Sequence, residues 1–351
     1  MPPQPVVETS MSAVPTGLPR GPVSLQAARQ GFAGPLALTL LVLVTTPLWI
    51  KEIGLYQYIA VEIVIWALFA LSYNLLLGQA GLPSFGHGAF FGVGAYAFGL
   101  AVKHVAPDLW LGLGAALAAA ALAGALVAAF ISHRRGIYYA LMTIAFGQVL
   151  WFVAIKWHSV TGGEDGLLGI PRPPVDLGII ELSLNSNEAL FYFAVVLFTL
   201  VIAFLWQLQD TPFGRVMAAV KGNEERARYC GHAVWRIKFT SFVLSAALAG
   251  LAGALFAMAQ NSAYPNVMSL HNSGFVVMMV LIGGGLVSFW GPVIGAAFFI
   301  LARDLLGATT EAWLLWYGLL FMAVVLFKPE GIVGAWRMLR QRAMRASAGS
   351  H

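Results

Sequence analysis

Runs of about twenty apolar residues recur from end to end of this chain, and a run of that length crosses the hydrocarbon core of a bilayer as one helix. Ten such spans can be drawn: Phe32–Ile50, Gln57–Leu77, Phe85–Val102, Leu109–Ser132, Ile137–Lys156, Ala189–Leu208, Lys238–Gln260, Ser273–Gly285, Pro292–Leu306 and Ala312–Phe327. The Gly283-Gly284-Gly285 and Gly291-Pro292 breaks divide the eighth from the ninth within what is otherwise one long apolar run. Only 10% of the 351 residues are charged, against about 25% in a soluble domain, so the chain lacks the polar surface to face water all round. The fold class is all-α: a polytopic transmembrane helical bundle of about ten spans, with membrane lipid as its surroundings.

Lys and Arg concentrate on the cytoplasmic side of membrane proteins. With the N-terminus inside, 15 of the 20 fall in inner segments, and Lys51, Lys103, Lys156, Arg172 and Arg303 fall outside. The opposite orientation inverts that split, so both termini are expected in the cytosol. Residues 1–31 are rich in Pro, Gly, Ser and Ala without the apolar core of a secretory signal, which predicts a disordered cytosolic tail; residues 32–328 form the membrane domain and 329–351 a basic cytosolic tail. The net charge of +5 lies in short loops and tails, not on the basic face of a folded domain that nucleic acid requires. The single Cys230 excludes an intramolecular disulfide.

Two loops are long. The outer one, 157–188, centres on a Gly- and Pro-rich stretch, Thr161–Pro174, with Gly162, Gly163, Glu164 and Asp165 at its head. Glycines at that density permit tight turns, and the segment reads equally as an ordinary structured loop, a docking surface or a substrate lid. The inner loop, 209–237, carries helix punctuation. Asp210-Thr211-Pro212 starts a helix, and Phe213, Val216, Met217 and Val220 give it one apolar stripe. Gly222 stops it, and Asn223 caps a second helix with Glu224 and Glu225 at its positive end. Arg226, Ala227, Arg228, Tyr229 and Cys230 carry that helix to Gly231, a natural left-handed terminator. Two short amphipathic helices on the cytosolic face suit a partner's groove, although a positive-inside connection would also account for them.

Within the spans, Gly88 and Gly92 lie four apart, as do Ala95 and Gly99; small residues at that spacing let helix backbones approach closely in lipid. His87 stands where this helix starts, with Ser84 just before it, and a polar ring at membrane depth faces the protein interior or water. Either it caps a neighbouring helix, or it lines or gates a passage. Glu62 is the one carboxylate well inside a predicted span, where it is either paired, reaching toward the outer surface, or lining the same path. The Gly-rich text from Gly86 to Gly94 lies inside an apolar span rather than after a strand, so it is no dinucleotide loop. No P-loop occurs, and no His, Cys or carboxylate set has metal-ligand spacing. No catalytic or metal site is therefore expected in this chain.

The stretch Leu75–Tyr96, with Gly78-Gln79-Ala80-Gly81 and Ser84-Phe85-Gly86-His87-Gly88, resembles the signature of bacterial branched-chain amino acid ABC permeases, in particular the M-type subunit. Leu141–Gly147 followed by Thr161–Pro173, Phe213-Gly214-Arg215 through Asn223-Glu224 to Gly231, and Trp290–Gly295 followed by Lys328-Pro329-Glu330-Gly331 agree in the family's order over about residues 35–335. The resemblance implies an importer subunit of the bacterial inner membrane working by alternating access. Its partners would be an H-type permease subunit, two ATPase subunits that hold the ATP and Mg, and a periplasmic binding protein that delivers the substrate. It also assigns Asn223–Gly231 to ATPase coupling. Pro83 and Glu62 depart from the family pattern, and relatives of this type carry urea, other amides and small aromatic acids. The competing class is an ion-coupled secondary transporter in which Glu62 and His87 relay protons.

Overall fold

The computed structural model describes residues 56–176, 181–284, 288–309 and 311–327, together with Thr39, Thr45, Thr46 and Gly331. The main helices are α1 (Gln57–Asn74), extended by a π-helical turn Leu75–Ala80, α2 (Gly88–Leu100), extended by a second π-helical turn Ala101–Val105, α3 (Leu109–Ile131), α4 (Gly136–Lys156) and α5 (Asn187–Asp210). Two short helices follow, α6 (Pro212–Gly222) and α7 (Glu224–Tyr229), then α8 (Val234–Gln260), α9 (Leu270–Gly284), α10 (Gly291–Thr309) and α11 (Trp313–Phe327).

Among the described residues seven helices are long and apolar enough to cross a membrane: α1 and α2 with their π turns, α3, α4, α5, α8 and α10. The expected eighth and tenth spans are the shorter apolar helices α9 and α11, 15 residues each. The expected first span, Phe32–Ile50, lies outside the described residues save for Thr39, Thr45 and Thr46, as do the two tails save for Gly331.

Burial sorts the helices into two shells. The most apolar windows of α1 and α8 are 94% and 83% buried inside the protein, whereas those of α3, α4 and α10 are 33%, 28% and 33% buried. The outer helices turn large apolar side chains outward, among them Leu122, Leu126 and Phe130 on α3 and Val196, Leu200 and Phe204 on α5. A water-soluble surface does not tolerate apolar exposure on that scale; lipid does.

The inner shell closes because glycines remove side chains where backbones meet. A Cβ at Gly94 of α2 would overlap the Gly250 backbone of α8, and one at Gly253 of α8 would overlap the Phe91 carbonyl. Gly250 in turn makes room for Ala120 of α3, so α8 is held between α2 and α3. The predicted small face of α2 is tight as well, but much of what it meets is not a helix. Gly92 accommodates Met268 of the 3₁₀ turn Pro265–Met268, Gly99 the side chains of Ile170 and Leu167, and Gly88 the Ser273 hydroxyl together with the Val267 carbonyl, with Ala95 fully buried between them.

The outer loop is folded over the end of α8. Strand β1 (Leu167–Leu168) pairs antiparallel with β4 (Ser262–Ala263), and β2 (Val175–Asp176) pairs with β3 (Glu181–Leu182). Gly162, Gly163, Gly166 and Gly169 all have positive φ, which is the tight turning their density implied. Arg172 locks the loop down, donating to the carbonyls of Met258 at 2.7 Å and Ala259 at 2.8 Å, where α8 leaves carbonyls without intrahelical partners.

Candidate functional site

Three polar constellations stand out at the helix ends, and α6–α7 is the most elaborate. Thr211 caps α6 by accepting from the Gly214 amide, and Pro212 supplies its first residue. Met217 and Val220 of the predicted stripe are buried, with Val216 and Phe213 half-buried beside them. Asn223 caps α7 by accepting from the Arg226 amide at 2.9 Å. The helix ends at Tyr229, one residue short of the sequence expectation, and Gly231 turns the chain with φ +85°.

What each residue of α7 faces separates anchors from contact surface. Ala227 is buried against Val220 and Val234, with Val216 and Ile237 packed around them. Glu224 points inward, 2.7 Å from the Lys238 ammonium and 3.0 Å from Arg135 Nε, with Arg228 at 3.8 Å. Lys238 also donates to the Arg134 carbonyl at 2.9 Å. Ala227 and Glu224, which the resemblance includes in the coupling segment, thus fasten α7 to this chain's own α6 and α8 and to Arg135 at the start of α4. The outward surface consists of Glu225, which also reaches Arg135 at 3.0 Å, with Arg226, Arg228, Tyr229 and Cys230. Tyr229 is 89% exposed, and a fully presented aromatic ring on a rigid base is the residue type that anchors interfaces. Arg228 and Tyr229 lie within the Asn223–Gly231 segment that the resemblance assigns to ATPase coupling.

The second constellation surrounds His87. The Ser245 hydroxyl donates to the Ser72 carbonyl at 2.6 Å, so it accepts from His87 Nε2 at 3.1 Å and fixes the ring as the Nε2–H tautomer. Phe69 stacks on the imidazole, and Tyr73, Phe90 and Phe242 enclose it; no part of His87 is exposed. His87 therefore ties α2 to α8. The first turn of α2 takes its caps from other helices: the Phe85 amide donates to Thr143 Oγ1 of α4 at 3.1 Å, and the Gly88 amide to Ser273 Oγ of α9 at 2.9 Å. Ser84 is buried beside this turn, its hydroxyl unpartnered among the described residues.

The third is an ion pair. Both Glu62 carboxylate oxygens accept from Arg303, at 2.9 Å and 2.7 Å, and Trp66 Nε1 donates to one of them at 3.2 Å. Arg303, counted among the outer charges near the end of the expected span Pro292–Leu306, lies in α10 and faces α1. A bidentate guanidinium–carboxylate fork neutralises both charges within the bundle. Glu62 is thus paired, while a cavity of about 660 Å³ beside it, lined also by Tyr58 and Asp304, leaves the pair open to one side.

In the outer loop Glu164 and Asp165 are exposed, Gly163 is buried and Gly162 forms the turn before it. At the opposite end, Lys221 of α6 donates to the Gly78 carbonyl in the π turn of α1, and desolvation there pulls its ammonium below the ordinary lysine range. Among the described residues no group of three or more His, Cys, Asp or Glu could hold a metal ion.

Comparison with known proteins places these constellations in a family. Residues 55–327 match the family model described as the branched-chain amino acid transport system / permease component. The chain is 29% identical over 296 residues to the high-affinity branched-chain amino acid transport system permease protein LivM of Salmonella typhimurium, covering 78% of this chain and 69% of that one. The probable branched-chain amino acid transport permease protein LivM of Methanocaldococcus jannaschii is 23% identical, over 80% of this chain and 94% of that one. The ribose import permease protein RbsC of Bacillus subtilis is 32% identical over 36% of this chain and 43% of its own. No solved structure matches the chain. The family model covers the helical bundle from α1 to α11 with all three constellations inside it, and the chain belongs to the branched-chain amino acid transport system permease component family.

Proposed function

We propose that this chain is the M-type permease subunit of an ATP-binding-cassette importer for branched-chain or related amino acids. One observation carries the reading: the family match takes in both the buried helices and the α6–α7 projection, so the membrane passage and its drive share one ancestry. The amino acid class is favoured over sugars because the match to LivM extends over 78% of the chain and that to RbsC over 36%.

In this reading the protein sits in a bacterial inner membrane with ten spans and both termini cytosolic, and the tails 1–31 and 329–351 lie in the cytosol. An H-type permease subunit is its membrane partner. Two ATPase subunits hold the ATP and Mg and receive α7, so this chain carries no cofactor and catalyses no reaction. A periplasmic binding protein docks at the outer loop around Gly162, Gly163, Glu164 and Asp165, where two carboxylates are presented on a loop stapled by Arg172. Closure of the ATPases pushes α7, whose Glu224 strut passes the movement to Arg135 before α4 and to Lys238 in α8. Helix α8 also holds His87 through Ser245, so the push reaches the start of α2 and Ser84, the inner end of the passage. Bistable packed helices turn such small shifts into alternating access.

The test is uptake of labelled leucine, isoleucine and valine by proteoliposomes containing this chain with its neighbouring transport subunits. Uptake that needs ATP, the binding protein and the ATPases supports the reading. Uptake by the chain alone on an ion gradient would make it a secondary transporter. ATP-driven uptake of urea or a small aromatic acid in place of leucine would retain the importer and move the substrate class.

A further inference from the structure

A cavity of about 360 Å³ opens where the π turn of α1 meets the end of α5, helix α6 and residues 288–289. Its chemistry has two halves. Asn74 Oδ1, Gln79 Oε1 and Ser288 Oγ line it as buried oxygens without a hydrogen-bond partner among the described residues; Asn74 is 3% exposed and Ser288 5%. Buried polar atoms are rarely left unpaired, so three around one cavity point to a bound group carrying donors. The other half is cationic: Arg215 and Lys221 belong to the lining, and among the described residues no carboxylate does.

The backbone is built around this arrangement. A Cβ at Gly78 would occupy the place of Asn74 Oδ1, so glycine there leaves the amide free to line the cavity. Helix α6 lies beside it as an amphipathic element with its stripe turned inward, and Phe289 packs edge-on against Trp206 at 5.3 Å and Trp290 at 5.5 Å. Aromatic rings gather at membrane–water boundaries, and α5, which brings Gln209 to the cavity, presents Val196, Leu200 and Phe204 to lipid.

We propose that this cavity is a binding site for the headgroup of an anionic glycerol phospholipid. The phosphate sits at Arg215 and Lys221, the two glycerol hydroxyls donate to the Asn74 and Gln79 amide oxygens, and the Ser288 hydroxyl donates to a headgroup oxygen. A phosphodiester group by itself offers only acceptors and leaves the two amide oxygens unanswered, whereas the headgroup glycerol of phosphatidylglycerol adds two hydroxyl donors to the negative charge. Basic pockets among membrane helices hold anionic headgroups by this electrostatics.

The purified full-length chain, delipidated in mild detergent, is titrated with phosphatidylglycerol and phosphatidylcholine, and retained lipid is counted by native mass spectrometry. Phosphatidylglycerol is expected to be retained preferentially. Arg215→Ala should weaken it about fivefold, the effect of one cation near a headgroup, and leave phosphatidylcholine unchanged, while Arg215→Lys retains most of the affinity. Gly78→Ala, which displaces the Asn74 amide, should weaken it without changing charge. Equal retention of the two lipids, or no effect of Arg215→Ala, overturns the proposal. Displacement of the lipid by free glycerol 3-phosphate at comparable concentration would overturn the lipid in favour of a soluble anion.

Discussion

The Glu224 carboxylate meets the Lys238 ammonium at 2.7 Å, joining the projecting helix α7 to the N-terminal end of the buried helix α8. The lysine side chain is only 1% exposed, so the pair transmits position as well as charge. Removing one partner leaves a buried charge uncompensated, at a cost of about 3–5 kcal/mol in sites of this kind; the partial exposure of Glu224 puts the expectation at the lower end. Glu224→Gln, which strands the buried Lys238 ammonium, should lower the thermal transition of the purified protein, and Lys238→Met should do so less, because Arg135 still faces the part-exposed Glu224. The double variant should recover part of the loss, with a coupling of about 1–3 kcal/mol. Strict additivity would mean that the pair does not fasten α7.

Glu62 and Arg303 form the same kind of pair inside the bundle, so single neutralisation should harm more than double. Arg303→Met strands a carboxylate in the membrane, and membrane abundance should fall sharply; Glu62→Gln/Arg303→Met should recover much of it. If Glu62→Gln alone leaves abundance normal and abolishes uptake, the carboxylate works on the transport path in addition to its pairing.

Backbone contact between α2 and α8 turns on Gly94 and Gly253. Gly94→Leu inserts a side chain where the Gly250 backbone lies, and overpacking of a close-packed contact costs about 1–3 kcal/mol or more. Loss of membrane-inserted protein is expected from Gly94→Leu, and near-normal levels from Gly114→Leu, where a Cβ meets nothing. Equal tolerance of both would contradict the tight α2–α8 contact.

Much of this architecture is legible in the sequence because membrane helices must be long and apolar. The expected spans at Leu109–Ser132 and Ile137–Lys156 agree with α3 and α4 to within a residue at each end. The caps Thr211 and Asn223 and the terminator Gly231 were legible too, since each serves the few residues beside it. Partners distant in the chain were not. Arg303 reads only as an outer-side charge near the end of the ninth span, and nothing local names its partner Glu62, 241 positions away. Spacing marks Gly88 and Gly92 as a helix–helix face, yet the close backbone contact to α8 is at Gly94, and which side meets α8 depends on helices read only in three dimensions. Ala227 and Glu224 belong to an exposed segment by sequence and turn inward only because Val234 and Lys238 follow the turn at Gly231.

Orientation has its own check in the native cysteine. With α7 in the cytosol and the 157–188 loop outside, an impermeant maleimide on intact cells should label Asn185→Cys in a Cys230→Ser background. It should label wild-type Cys230 only after the membrane is opened. The reverse pattern would invert the topology.

Cys230 also permits the most direct test of the coupling role, because it is the only cysteine in the chain and lies exposed beside Tyr229. Cys230 is labelled with a maleimide–benzophenone in membranes where the ATPase subunits are co-expressed, and the sample is photolysed. The prediction is a crosslinked product containing this chain and an ATPase subunit, strongly reduced by Tyr229→Ala at equal membrane abundance. A crosslink yield unchanged by Tyr229→Ala, or none to the ATPase when the subunits co-purify, would contradict α7 as the coupling element.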